Sequence, residues 1–326
     1  MRQRDLDLDF VKGFLVLVMV LYHAMNHFAE VPPEYYGYLR FVNGSFVFIS
    51  GYVVAAFYAG TSGQQNVQAA RQLAWRGFKL LGLFTVLNLA ASAAGITNYR
   101  NVTFGVSGYV SSLAGIYGRG DAQQIAFRIL VPIAYLLIVS GVYLIAERAR
   151  PWLIAATFLV ALVYSPAGSM VPNLFFVLIG LVGLSFGLLR PCAPRIRIQS
   201  RLFITAAFIA LASAMNALSS NVMTYAVGIA ILLKLVYDGA GLTPETGRIH
   251  AAMVLLGRYS LVCYIAQIGF LNLLHRASRG HDLSLGHELP LTVLATASLL
   301  LASCAWLDKL RHDFKVIEKT YRLVFA

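Results

Sequence analysis

The sequence predicts an all-α polytopic membrane protein with about ten transmembrane helices and both termini in the cytoplasm. Three observations carry that expectation. Of the 326 residues, 59% are hydrophobic and only 12% charged, against roughly half and a quarter in a soluble domain. Apolar stretches near the ~20 residues that cross a bilayer core as helix recur along the whole chain. Lys and Arg gather on alternate connections, and cytoplasmic loops are the basic ones.

The ten segments are approximately 10–28, 41–59, 77–95, 125–146, 151–166, 169–189, 202–218, 221–237, 251–274 and 289–306. The pairs split by "SPAGS" and "LSSN" read as tight helical hairpins. With ten spans, 20 of the 26 Lys and Arg fall on the side of the termini. Arg40, Arg100, Arg119, Arg128, Arg276 and Arg279 fall on the other. The net charge of +12 would suggest nucleic acid in a soluble protein. Here it reads as loop bias, which is also compatible with holding anionic substrates, and no nucleic-acid partner is expected. The apolar run after "MRQRDLDLDF" is too long for a signal peptide and has no small-residue cleavage site, so it reads as a retained first helix.

The glycine- and aromatic-rich outer loop 96–124 is too long for a simple connector. It reads either as a passive loop or as a segment that folds back as a lid. The basic, amphipathic tail, about 307–326, is expected to lie along the cytoplasmic surface. No repeat, low-complexity tract or appended soluble domain is visible, so residues 1–326 read as one membrane domain. Cys192, Cys263 and Cys304 fit no metal or disulfide pattern; the last two lie in apolar runs and read as packing residues.

Several polar residues stand out against this background. Lys12 and His23 are eleven residues apart, three turns plus about 20°, so they share one face of the first helix, separated by about 16 Å. Titratable groups within a span usually face the protein interior or a water-filled cavity. Snorkelling accounts equally well for Lys12, and a helix-to-helix hydrogen bond for His23. Glu30 is placed to orient an imidazole if the helix continues. Tyr22 points elsewhere and takes no role.

Asn43 and Ser50 lie in "FVNGSFVFISGY" of the second segment, where the small residues allow close helix approach. Arg71, Arg76 and Lys79 cluster where the third segment leaves the cytoplasm. They read as positive-inside bias or as a phosphate clamp. In "LGRYSLVCYIAQIGF", Arg258 and Tyr259 begin a polar series and Gln267 sits mid-span, where an amide needs a partner inside the bundle. No Asp or Glu lies in the middle of a span, which argues against a proton-coupled transporter.

Together these motifs resemble the membrane-bound acyltransferase-3 family, and within it the glucan succinyltransferase branch. The resemblance rests on Asp9, Lys12 and Gly13 with His23 following, on "FVFISGY" from Phe46 to Tyr52, and on the basic pair Arg76 and Lys79. It extends to Gly257, Arg258, Ser260, Leu261 and Tyr264 in the ninth segment. It covers the first third of the chain plus that segment. Lys replaces the commoner Arg at positions 12 and 79, losing the bidentate fork, and Gln267 stands where the family often has histidine.

The resemblance implies acyl transfer in a bacterial inner membrane, from cytoplasmic acyl-CoA (acetyl-CoA or succinyl-CoA) to a hydroxyl of an outer-facing glycan or glycolipid. Lys12, Arg71, Arg76 and Lys79 would then hold the donor's phosphates. His23 would serve as general base or as transient acyl acceptor. Asn43, Ser50, Tyr259 and Gln267 would serve the acceptor or support the site. The alternative is a glycan or lipid-linked sugar transporter without acyl transfer.

Overall fold

The computed structural model describes residues 6–28, 33–58, 64–93, 108, 110, 112–120, 126–147, 149–164, 171–189, 201–218, 222–240, 247–277 and 288–325. Among these residues there are helices and no strand. In chain order they are α1 (Leu6–Phe28), α2 (Pro33–Leu39), α3 (Phe41–Tyr58), α4 (Gln64–Ala93), a π-helical turn (Gly115–Arg119), α5 (Leu130–Ile145), α6 (Arg150–Tyr164) and α7 (Pro172–Leu189). There follow α8 (Arg201–Leu218), α9 (Val222–Ala240), α10 (Arg248–Arg258), α11 (Ser260–Ala277), α12 (Glu288–Asp313) and α13 (Lys315–Phe325).

Where it is described, each expected segment is mainly helical, with two larger differences. The third begins well before residue 77, because "QQNVQAARQLAW" is polar enough to escape a hydropathy reading yet made of good helix formers. The ninth is broken: α10 and α11 meet at an 89° bend around Tyr259. Gly257 and Ser260 flank the break, and Gly/Ser pairs are a common cause of sharp kinks.

Among the described residues, five helices are long and apolar enough to cross a membrane, or six if α10 and α11 form one broken span. Four further apolar helices, α5, α6, α8 and α9, run 15–19 residues. The turns expected at "SPAGS" and "LSSN" lie largely outside the described residues, as does Cys192.

The chain forms two compact units. The first comprises residues 1–42, 196–213 and 232–326; the second comprises 43–195 and 214–231.

The first unit is organised on α1. The Asp9–Gly13 stretch of α1 meets α10 at backbone contact. A Cβ on Gly257 would stand 1.6 Å from the Asp9 carbonyl oxygen, and one on Gly13 would stand 2.0 Å from the Met253 carbonyl oxygen. Small residues are what permit such an approach. The other end of α1 is held by a buried cluster of Ala24, Met25, Leu271 and Leu289, which joins α1, α11 and α12. Cys263 and Cys304 pair α11 with α12, their sulfurs 3.3 Å apart and both thiols free.

The second unit uses the same device. A Cβ on Gly51 would lie 1.9 Å from the Gly180 carbonyl oxygen, and one on Gly183 would lie 2.1 Å from that of Phe48, so α3 and α7 also cross at backbone contact. Val54, Ala55, Ala69, Leu73, Tyr143, Leu144 and Leu184 form a core from α3, α4, α5 and α7.

The described part of the loop 96–124 is tied to this unit. Asn173 donates to the carbonyls of Ile116 and Tyr117, both at 3.1 Å, and the Tyr135 hydroxyl donates to the Tyr117 carbonyl at 2.8 Å. The Tyr117 ring stands edge-on to Phe84. Residues 112–120 thus fold back onto α4, α5 and α7.

The tail is a separate helix, α13, fastened to α12. The Arg311 guanidinium donates to Glu318 at 2.6 Å and lies 3.8 Å from the Tyr321 ring centre; Arg322 reaches the same carboxylate at 2.5 Å. Those two bonds, the one from Arg311 first, hold the Glu318 carboxyl down to about 2 from its ordinary 4.5. A depressed carboxylate stabilises the docked tail fully above the ordinary value and loses that contribution as pH falls through the folded one. Hydrogen exchange in α13, corrected for its intrinsic rate, should therefore be steady above about pH 5 and accelerate between about pH 4 and 2. Glu318→Gln should produce the same loosening at neutral pH; an unchanged exchange profile in that variant would rule the clasp out.

Candidate functional site

His23 lies on α1 beside the buried Ala24–Met25 cluster. It is half-buried, and Tyr22 presents its ring at 5.4 Å in an edge-to-face arrangement. Tyr22 also meets Tyr36 edge-to-face at 6.1 Å, and the Tyr36 hydroxyl donates to the Met25 carbonyl at 3.3 Å. Here the sequence reading is corrected. Tyr22 is an aromatic neighbour of His23, and the short helix α2, between the first two expected segments, folds back over this end of α1. Further on, Phe28 and His275 pack edge-to-face at 5.5 Å. Glu30 lies outside the described residues.

Lys12 is on the same helix, but it is already paired. Its ammonium lies 2.6 Å from the carboxylate of Asp9, whose side chain is 4% exposed. A buried carboxylate without a partner costs several kcal/mol, so Lys12 is in the first instance the counter-ion of Asp9. An ammonium has three donors and one is used here, leaving two for a phosphate.

The Asp9–Lys12–Gly13 motif and the Gly257 motif, far apart in sequence, meet in space. Gly257 faces the Asp9 carbonyl and the Gly13 amide, while His250 stacks on Phe10 at 5.4 Å.

Tyr259 is buried at the α10–α11 break, and its hydroxyl is committed. It bonds the Asp308 carboxylate at 2.5 Å and accepts from Arg311 at 2.9 Å. Arg258 reaches the same Asp308 at 3.3 Å. This network pins the break to the end of α12. Sequence reasoning missed Asp308 and Arg311 as partners; their one signal was a charged run at the end of an apolar helix.

Gln267 is fully buried on α11, and neither its amide nitrogen nor its oxygen has a partner among the described residues. The partner expected for a mid-span amide is not supplied.

The remaining residues belong to the second unit. The Ser50 hydroxyl donates to the Phe46 carbonyl of its own helix at 2.8 Å, and Asn43 is half-buried at the start of α3. Arg76 is exposed and donates to the Tyr58 hydroxyl at 2.6 Å, with its guanidinium 5.9 Å from that ring's centre. Arg71 is exposed and Lys79 half-buried. Arg76 and Lys79 share a face, whereas Arg71 lies about 140° round the helix from Arg76. A polar cross-link unread in the sequence, Asn66 to Glu147, ties α4 to the residues just after α5.

Residues 4–114 match the family model described as OpgC protein, which supports an OpgC-like family. The matched segment contains Lys12, His23, Asn43, Ser50, Arg71, Arg76 and Lys79, while Tyr259 and Gln267 lie beyond it. No curated protein and no solved structure matches the chain.

Proposed function

We propose that this chain is a membrane O-acyltransferase that moves an acetyl or succinyl group from cytoplasmic acyl-CoA to a hydroxyl of an extracytoplasmic glycan or glycolipid. The observation that carries this reading is the match to the OpgC protein family over residues 4–114, the segment that holds His23 and the basic residues. The family is one of glucan-modifying acyltransferases. On this reading the chain is a single domain of the acyltransferase-3 kind in a bacterial inner membrane. The four further apolar helices complete ten spans, and both termini lie in the cytoplasm.

The chemistry asks for a base near the acceptor hydroxyl. His23 takes the hydroxyl proton as the oxygen attacks the thioester carbonyl carbon. The C–S bond breaks, and the proton passes to the leaving CoA thiolate. In the covalent variant, the His23 imidazole attacks first, the C–S bond breaks and the thiolate takes the ring N–H proton to leave as CoA thiol; the acceptor oxygen then takes the acyl group and its proton returns to the ring nitrogen. Lys12 in the first unit, and Arg71, Arg76 and Lys79 in the second, are the cations assigned to the donor's phosphates, and Asn43 and Ser50 are assigned to the acceptor.

The test is direct. Purified protein given succinyl-CoA or acetyl-CoA together with a glucan should release free CoA thiol and yield an acylated glucan. No thiol release with either donor would count against the reading.

A further inference from the structure

Helical Ser, Thr and Asn side chains in this protein usually bond the carbonyl four residues back. Ser140, Ser185, Ser303, Thr85, Thr157, Asn88 and Asn272 all do so. Gln267 and Thr296 are different. Both are 0% exposed, and the Gln267 amide atoms and the Thr296 hydroxyl have no hydrogen-bond partner among the described residues. Buried polar atoms left so cost free energy unless something bonds them.

The two residues lie on neighbouring helices of the first unit, on stripes joined at two points. On α11, Cys263, Gln267 and Leu271 follow at four-residue intervals and are all buried. On α12, Leu289, Thr296, Leu300 and Cys304 form a second buried stripe. The stripes are joined at one end by Cys263 and Cys304 and at the other by the cluster holding Leu271 and Leu289. Gln267 lies midway between these points on α11, and Thr296 lies midway on α12. The cluster of Leu271 and Leu289 also contains Ala24, next to His23. Gln267 is one turn below Leu271, roughly 6 Å along the helix.

We infer that Gln267 and Thr296 bind the cysteamine amide of the acyl-CoA arm, one turn along α11 from the cluster that holds Ala24, the neighbour of His23; this rests on the acyl-CoA reading above. A primary amide and a hydroxyl offer donors and acceptors without charge. They therefore suit a neutral group that both donates and accepts. The arm's amide nearest the thioester is such a group, separated from the reacting carbonyl by two methylenes and the sulfur. Its N–H and C=O would otherwise be desolvated among apolar helices with nothing to bond.

Calorimetric titration of the full-length protein in detergent tests this, using CoA and, separately, its nucleotide half, adenosine bisphosphate. Gln267→Met with Thr296→Val removes the polar atoms at nearly constant shape. Its melting point should not fall, because unpartnered polar groups give way to apolar ones. Its CoA affinity should drop roughly tenfold or more, with nucleotide affinity unchanged. A CoA analogue with an ester in place of the cysteamine amide should likewise bind the wild type roughly tenfold more weakly. Equal CoA affinity in variant and wild type, or equal binding of the ester analogue, overturns the inference and leaves the donor reading intact. A wild type that binds neither CoA nor the nucleotide overturns the donor reading, and this inference with it.

Discussion

His23→Ala should abolish acyl transfer while leaving the protein folded and able to bind CoA. A positioned general base contributes about 10²–10⁴-fold to rate, and loss of an acyl carrier removes the covalent route entirely. The side chain is half-buried and edge-on to Tyr22, so truncation costs little packing. The lost rate should therefore appear in kcat, with the apparent affinity for acyl-CoA nearly unchanged. Added imidazole should restore part of the rate if His23 is a base. Rapid quenching should trap an acylated His23 if it is a carrier. Full turnover by His23→Ala would remove this residue from the mechanism.

The largest effect on stability should come from Gly257→Val. Even the first carbon of a side chain there meets the Asp9 carbonyl at 1.6 Å, with the Gly13 amide nitrogen at 2.9 Å. Both neighbours are backbone, so no rotamer change relieves the clash and α1 must move away from α10. Overpacking of this kind costs about 1–3 kcal/mol or more, a large share of a marginal total. Displacing α1 also disturbs the Asp9–Lys12 pair and carries His23 with it. Gly257→Val should thus lower the melting temperature by several degrees and reduce activity together, and Gly13→Val should do the same. Gly82→Ala is the control: nothing lies within 4 Å of a Cβ at that position, and alanine is the better helix former. An unchanged melting temperature in Gly257→Val would contradict the crossing.

Much of this fold could be read from one chain because a bilayer imposes a length and a composition on each helix. The α10–α11 break could not, because the short dip at Gly257-Arg258-Tyr259-Ser260 sits between two apolar stretches that together have the length of one span. The Gly13–Gly257 crossing was equally hidden. Each glycine reads only as a small residue, and nothing in a single sequence pairs residues so far apart. Lys12 and Asp9 carry the legible spacing of an ion pair, three residues apart, yet the lysine drew attention as a phosphate ligand. Gln267 was recognisable as an amide needing a partner, but Thr296 was not, because a helical threonine usually satisfies its own hydroxyl. Around His23, the helix and the face were readable. The Tyr22–Tyr36 contacts were not, because α2 is only seven residues long and polar enough to pass for loop.

Transport of the acyl group itself tests the central claim most directly. Proteoliposomes would carry glucan in the lumen and radiolabelled succinyl-CoA or acetyl-CoA outside, with the protein inserted in the membrane. The label should appear on lumenal glucan, covalently and as an ester, and should fail to appear with His23→Ala. Glucan that crosses the membrane without any donor and stays unlabelled when donor is present would contradict the account and identify a transporter instead.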